Sequence, residues 1–371
     1  MTTYPRPTSD EVNLAAQLLS SQVIKTPLMT SPHLNAIATA RITNLFSFPK
    51  GAPRIELFLK CENLQKTGSF KFRGASHFLA KRSDQELVNG VVAYSTGNHA
   101  QAVAHAAQLA SQSRRIHVPT YVVVPSNCPE KKVKAAEAYG ARVSFSGTAP
   151  QDRVELAKQI EKDTCAVLVP PADHADIVLG QATAVKELLE QAASLNTKLD
   201  AVIVPSGGGG LLVGAIAVCK PNGVAVFAAE PKVGGPGLAR AIRTGVRCEE
   251  IKGQPSVADG LRSLTGTANW EHIRQVGNVQ GICSLSDEQI KQTLGLAVKE
   301  LQCVLEPSAV VALGGVLHCE VFAEWARGRG GDVKVGVVLS GGNIGQEDLQ
   351  RILPEVSACD VLADSVEAAQ P

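Results

Sequence analysis

Lys71 stands between Phe70 and Phe72 in the stretch ENLQKTGSFKFRGASHF, with a Thr-Gly-Ser turn before it and Arg73-Gly74 after it. An apolar setting strips water from an ammonium and lowers its pKa. The free amine that results is the form that attacks a carbonyl. A second candidate is PSGGGGLLVGAIA, where Gly207, Gly208, Gly209 and Gly210 follow a strand-like run and lead into an apolar helix. Glycines permit positive φ and close approach, so several N–H groups can converge on one anion, and the helix start adds its positive end. A tight strand-to-helix turn needs one or two glycines. Four in succession point to a phosphate cradle, one that contains no lysine and matches neither common nucleotide-loop pattern.

Two more loops carry polar groups at strand ends. In STGNHAQA, Ser95, Thr96, Gly97, Asn98 and His99 offer hydroxyl, amide and backbone donors to a carboxylate, although Ser, Thr and Asn are also ordinary helix caps. In LSGGN (339–343), Ser340 is suited to bond a ring nitrogen, and Gly341 and Gly342 leave room for a flat ligand. In LEPSA, Glu306 before Pro307 reads as an acid at a helix start. A cofactor bearing both a phosphate and an aldehyde would engage this whole inventory. Pyridoxal 5'-phosphate has both, and its aldehyde forms a Schiff base with lysine.

The elements that must position these groups alternate along the chain. Strand-like VVAYS, TYVVVP, ARVSFSG and AVLVPP are interleaved with helical AQAVAHAAQLA, EKKVKAAEAYG and QDRVELAKQIEKD. Further on, AVIVP, VAVFAAEP and VKVGVVLSGG are each next to helical stretches. Strands apolar on both faces that alternate with helices predict an α/β protein with open, mainly parallel sheets flanked by helices. Two domains are expected: residues 90–168 as a small one, and 1–89 with 169–371 as a larger, discontinuous one. The segment RITNLFSFPKGAPR (41–54) reads as a surface loop, and the tail VLADSVEAAQP as frayed.

Composition narrows the partners. With 36 Lys+Arg against 35 Asp+Glu, the net charge is +1, so neither nucleic acid nor an anionic membrane is expected as a partner. No signal peptide is apparent, and no apolar run reaches the roughly 20 residues that a membrane span needs. Nine cysteines without a CxxC pair read as buried thiols in a reducing compartment, and a cytoplasmic location is expected.

KCENLQKTGSFKFRGA, STGNHAQA, PSGGGGLL, VADG (257–260), LEPSA and VLSGGN occur in this order. In that order they resemble the fold-type II (tryptophan synthase β-like) pyridoxal-phosphate enzymes, specifically the serine/threonine dehydratase and serine racemase family, which includes 3-hydroxyaspartate dehydratases. The resemblance spans about residues 8–350. It implies that Lys71 carries the cofactor, with Phe70 against its ring, Asn98 on its 3-hydroxyl, Gly207–Gly210 on its phosphate, and Glu306 and Ser340 completing the cofactor-binding set, Ser340 at the pyridine nitrogen. The Ser95–His99 loop would bind the substrate carboxylate, with Arg153 and Ser263 as further substrate-facing residues. The activity implied is β-elimination of a β-hydroxy amino acid such as serine, threonine or 3-hydroxyaspartate to a 2-oxo acid and ammonia, in a homodimer.

Departures from the family's pattern qualify this. Racemases carry a serine, and many dehydratases an alanine, where this chain has Thr96. Thr96 keeps a hydroxyl on the face opposite Lys71, so elimination is favoured and racemisation is the alternative. β-Replacement and a catalytically silent relative are the rivals, and the intact Lys71 argues against the latter. Relatives hold Mg²⁺, Mn²⁺ or Ca²⁺ through a glutamate, a backbone carbonyl and an acid. Glu230 and Gly234 are present here, but the third position is Pro236, so weak or absent metal dependence is expected. The chain ends soon after LSGGN, so feedback through a C-terminal regulatory domain is not expected.

Overall fold

The computed structural model describes residues 4–45, 53–95, 97–128 and 130–353. Ten strands form two open sheets: β1 (Leu28–Met29), β2 (Ile55–Cys61), β3 (Val91–Tyr94), β4 (Thr120–Pro125), β5 (Arg142–Ser146), β6 (Val167–Leu168), β7 (Ala201–Pro205), β8 (Ala225–Pro231), β9 (Gly281–Leu285) and β10 (Val333–Leu339). The larger sheet has the order β1-β2-β10-β7-β8-β9, and the smaller β5-β4-β3-β6. Every pairing is parallel except β1 with β2. Parallel strands need crossover connections, and the intervening helices cover both faces of each sheet. β7 shows the consequence, since all five of its residues are buried.

The larger sheet is sandwiched between two apolar layers. One contains the helix Pro307–His318 with Leu57, Ile203 and Phe227, and the other contains the helix Gly210–Cys219 with Val202, Val204 and Val226. The helix Gly210–Cys219 is buried at every position, which its uniformly apolar sequence requires. The helix Lys71–Ala80 packs on the smaller sheet's core through Phe72, Phe78 and Leu79.

Several expectations are corrected here. The 41–54 segment is not a loop from its start, because Arg41–Leu45 completes the helix Pro32–Leu45 and Ile42 is fully buried. Residues 46–52 lie outside the described residues. That helix covers the start of β2, which the short β1 does not reach: Asn35 Oδ1 accepts from Leu57 N at 2.9 Å and Thr39 Oγ1 from Ile55 N at 2.9 Å. Of AVLVPP only Val167–Leu168 is strand. β1, β2 and β9 were not anticipated, although β2 forms the entry to the Lys71 segment. The tail 361–371 lies outside the described residues. Cys61, Cys219 and Cys283 are buried thiols and Cys165 is an exposed one.

Candidate active site

Strand β2 ends at Cys61 and runs through two short 3-10 turns to Lys71, the first residue of its helix. The second turn contains Thr67 at φ 59° and Gly68 at φ 68°. A Cβ on Gly68 would lie 2.5 Å from Asn343 Oδ1, so glycine is required for space as well as backbone. The segment is stitched to the end of β10: Phe70 N donates to Ser340 O at 3.1 Å and Gly342 N to Gly68 O at 2.9 Å.

Lys71 Nζ donates to the Pro171 carbonyl at 2.6 Å and lies 5.3 Å from the Phe70 ring centroid. Burial alone lowers its pKa from 10.5 to about 8, with no counter-charge acting on it among the described residues. The next residue, Ala172, forms the floor of the glycine loop. Its Cβ would be 2.7 Å from a Cβ on Gly208, and its carbonyl 2.8 Å from one on Gly210. Pro171 and Ala172 therefore join the amine to the loop directly.

The loop leaves β7 and caps the following helix with Gly209 at φ 91°. Gly207 is equally confined, since Ser263 Oγ lies 2.9 Å from where its Cβ would be. The first N–H groups of a helix have no intrahelical acceptor. Beside them, the hydroxyls of Ser206 and Thr265 are buried without a partner among the described residues. Free N–H groups, orphaned hydroxyls and no room for side chains suit a bound anion.

Asn98 opens the helix Asn98–Arg114 after Gly97. Its Nδ2 donates to Glu306 Oε1 at 2.7 Å, while its Oδ1 accepts from Asn343 Nδ2 at 2.8 Å. Burial, and then Asp259, push Glu306 up to about 7, with Asn98 and Lys132 opposing. Gly341 has to be glycine at this point, because a Cβ there would lie 2.7 Å from Glu306 Oε1. Ser340 is buried at the end of β10. Lys132 crosses from the smaller sheet's helix Glu130–Glu137 to Asp259, with Nζ–Oδ2 at 2.8 Å.

The remaining residues singled out in the sequence divide. Ser95 Oγ accepts from Gly97 N at 3.2 Å. The His99 ring is buried with Nε2 at 2.9 Å from the Val169 carbonyl, and burial and then Lys71 lower its pKa to about 3, so it is a neutral ring already committed to a backbone partner. Arg153 keeps its Nε buried without a partner among the described residues, and its charge acts on Tyr94 and Cys128. Ser263 is exposed beside Gly207. Thr96 lies outside the described residues. Asn343 was overlooked although it is the last letter of LSGGN. Pro171 and Ala172 carried no local signal, because they enter only through contacts a hundred residues from Lys71.

The suspected metal position does not suit a hard cation. Glu230 Oε2 accepts from Leu238 N at 2.6 Å, and Oε1 from Ala239 N at 2.8 Å and Ser284 Oγ at 3.2 Å. Its carboxylate is thus engaged by the start of the helix Leu238–Thr244. Gly234 is buried at φ 72°, and Pro236 has no side-chain oxygen to offer.

Two open, mainly parallel sheets, with an enclosed amine and an anion cradle at strand ends, define an α/β enzyme that binds its ligand outside the carboxyl ends of its strands. Residues 20–341 match the family described as pyridoxal-phosphate dependent enzyme, and the chain belongs to that family. It is 33% identical over 350 residues to a serine racemase of Dictyostelium discoideum, covering 93% of this chain and 98% of that one. It is 34% identical over 354 residues to an L-threo-3-hydroxyaspartate ammonia-lyase of Saccharomyces cerevisiae, covering 95% and 97%. The structure of maize serine racemase superimposes with a TM-score of 0.80 at 31% identity, covering 94% of this chain and 97% of that one. The cofactor is therefore pyridoxal 5'-phosphate, and the cradle and the enclosed amine fit its phosphate and its aldehyde.

Proposed function

We propose that the protein removes water from a β-hydroxy amino acid and releases a 2-oxo acid and ammonia. The observation that carries this is the Lys71 amine, enclosed without a counter-charge among the described residues and joined through Pro171–Ala172 to the glycine loop. When bound, pyridoxal phosphate supplies an aldehyde for the substrate amine and a conjugated ring that stabilises negative charge at Cα. Gly207–Gly210 and the helix behind them would hold its phosphate. Phe70 would pack on its ring, and Asn98, fixed between Glu306 and Asn343, would meet its hydroxyl. Ser340, a neutral hydroxyl, would face its ring nitrogen.

With a pKa near 8, Lys71 exists partly as free amine at neutral pH and takes the proton from Cα. The loop Ser95–His99 binds the substrate carboxylate through its hydroxyls and the first N–H groups of the helix Asn98–Arg114. On this reading residues 90–168 form the smaller, carboxylate-binding domain and the rest the larger one. Arg153, whose Nε is buried without a partner among the described residues, and Ser263 beside Gly207 face the substrate side chain. A relative named L-threo-3-hydroxyaspartate ammonia-lyase supports a second carboxylate there. A homodimer and a cytoplasmic location belong to the same reading, supported by the family resemblance; sedimentation tests the first and fractionation the second.

A second reading is racemisation, favoured by the relatives named serine racemase, with Thr96 returning a proton to the opposite face of Cα. A panel of serine, threonine and 3-hydroxyaspartate enantiomers, scored for ammonia, 2-oxo acid and product enantiomer, decides between them. Ammonia and 2-oxo acid in stoichiometric yield support elimination; enantiomer without ammonia overturns it. Thr96→Ala is expected to abolish racemisation and spare elimination. Arg153→Ala is expected to cut the preference for an acidic substrate about tenfold, and an unchanged preference removes Arg153 from this role.

A further inference from the structure

Asn269 is fully buried in the helix Thr267–Ile273, and no motif of the site includes it. Its Nδ2 donates to the Gly208 carbonyl at 2.8 Å and to the Ala172 carbonyl at 3.2 Å. Both acceptors belong to the glycine loop or its floor. A second donor, Gly266 N at 3.0 Å, reaches the same Gly208 carbonyl. The peptide unit is planar and trans, so a C=O held on one side sends the following N–H to the other. Fixing the Gly208 carbonyl toward Asn269 thus aims Gly209 N–H at the opposite face of the loop.

Asn269 is itself held at two further points. Its backbone N–H donates to Asp173 Oδ1 at 2.7 Å, beside Ala268 N on Asp173 Oδ2 at 3.2 Å. Its Oδ1 accepts from the Tyr4 hydroxyl. The two carbonyls require the NH2 end on their side, which leaves the oxygen for Tyr4. Tyr4 is anchored in turn: its carbonyl lies 3.1 Å from His272 Nε2, and its ring stacks on His272 with centroids 4.7 Å apart. Burial, and then Asp173, raise the Tyr4 pKa, so the hydroxyl remains a donor across the neutral range.

We propose that Asn269 and Tyr4 form a clamp that presets the glycine loop for the cofactor phosphate, so that the N-terminal segment takes part in cofactor retention. Both are positioning residues that touch the loop and its support rather than the substrate. The clamp rests on the cofactor assignment but is independent of which amino acid is the substrate.

The test compares pyridoxal 5'-phosphate with pyridoxal, which has the aldehyde and lacks the phosphate, each titrated into apoprotein and followed by absorbance as the aldehyde reacts with Lys71. Asn269→Ala is expected to weaken pyridoxal 5'-phosphate about tenfold or more and leave pyridoxal unchanged. Tyr4→Phe keeps the ring on His272 and removes only the hydroxyl; it is expected to weaken the phosphorylated form about threefold. Inorganic phosphate should compete less well against both variants than against wild type. Equal losses for the two vitamers, or none in Tyr4→Phe, would overturn the clamp, and Tyr4→Phe decides alone if Asn269→Ala does not fold. Wild-type protein that took up neither vitamer would overturn the cofactor assignment and the clamp with it.

Discussion

Two lysines flank the same turn, the fully buried Lys60 near the end of β2 and the half-buried Lys71, its amine desolvated, at the start of the next helix, and the protein treats them in opposite ways. Lys60 is fully buried and surrounded by partners: Glu187 Oε2 at 2.7 Å, Gln191 Oε1 at 2.8 Å and the Thr26 carbonyl at 2.8 Å. Arg73 extends the network, holding Glu62 through Nε at 2.7 Å and Glu187 through Nη1 at 2.8 Å. Burial lowers the Lys60 pKa, and Glu187 and Glu62 act the other way. Among the described residues Lys71 has the Pro171 carbonyl and no anion to restore its proton. Desolvation is common to both, and only the presence of carboxylates separates a structural cation from a reactive amine.

The largest expected break in this comparison is Lys71→Ala, which should lower turnover by about a thousandfold or more because the proton acceptor and the covalent anchor are lost together. Activity within tenfold of wild type would mean that another base serves. Next is Lys60→Met, which leaves Glu187 short of a partner in a mostly dry network. It should cost about 3 kcal/mol in chemical denaturation, with cofactor binding in the surviving folded fraction unchanged. A loss under about 1 kcal/mol would show that Lys60 is no more than packing.

The pH dependence follows from the Lys71 value. The rate of cofactor uptake by apoprotein should rise about tenfold per pH unit below pH 8 and level off above it, as free amine replaces ammonium. A flat profile from pH 6 to 9 would place the amine's pKa elsewhere.

The smallest effect carries the sharpest contrast. The folded pKa of Lys71 is below its unfolded value of 10.5, so the unfolded chain binds that proton more tightly. The penalty is complete below about pH 8 and fades as pH rises to about 10.5. Lys71→Met should therefore stabilise the apoprotein by about 1 kcal/mol at pH 7 and by less at pH 10, opposite in sign to Lys60→Met. Thermal unfolding of both variants at the two pH values checks this, and equal signs would remove the distinction.

The sequence by itself determined the ingredients: alternating apolar runs that demand parallel sheets, four glycines that only a close backbone approach requires, and six motifs in one order. Those features are local, or are periodicities that a chain must obey to bury its strands. The motif order pointed to Lys71, but apolar neighbours alone did not determine which lysine would react. By neighbours alone, Lys60 in IELFLKC is at least as apolar in setting as Lys71 in SFKFR. Only the tertiary structure brings Glu187 to one of them and withholds it from the other. It likewise committed the His99 ring to Val169, spent the Glu230 carboxylate on a helix start, and brought Asn343, Pro171 and Asn269 to the site. Desolvation and counter-charge are set by atoms a few ångströms away in space, and atoms that meet at this site are as many as 276 residues apart in the chain.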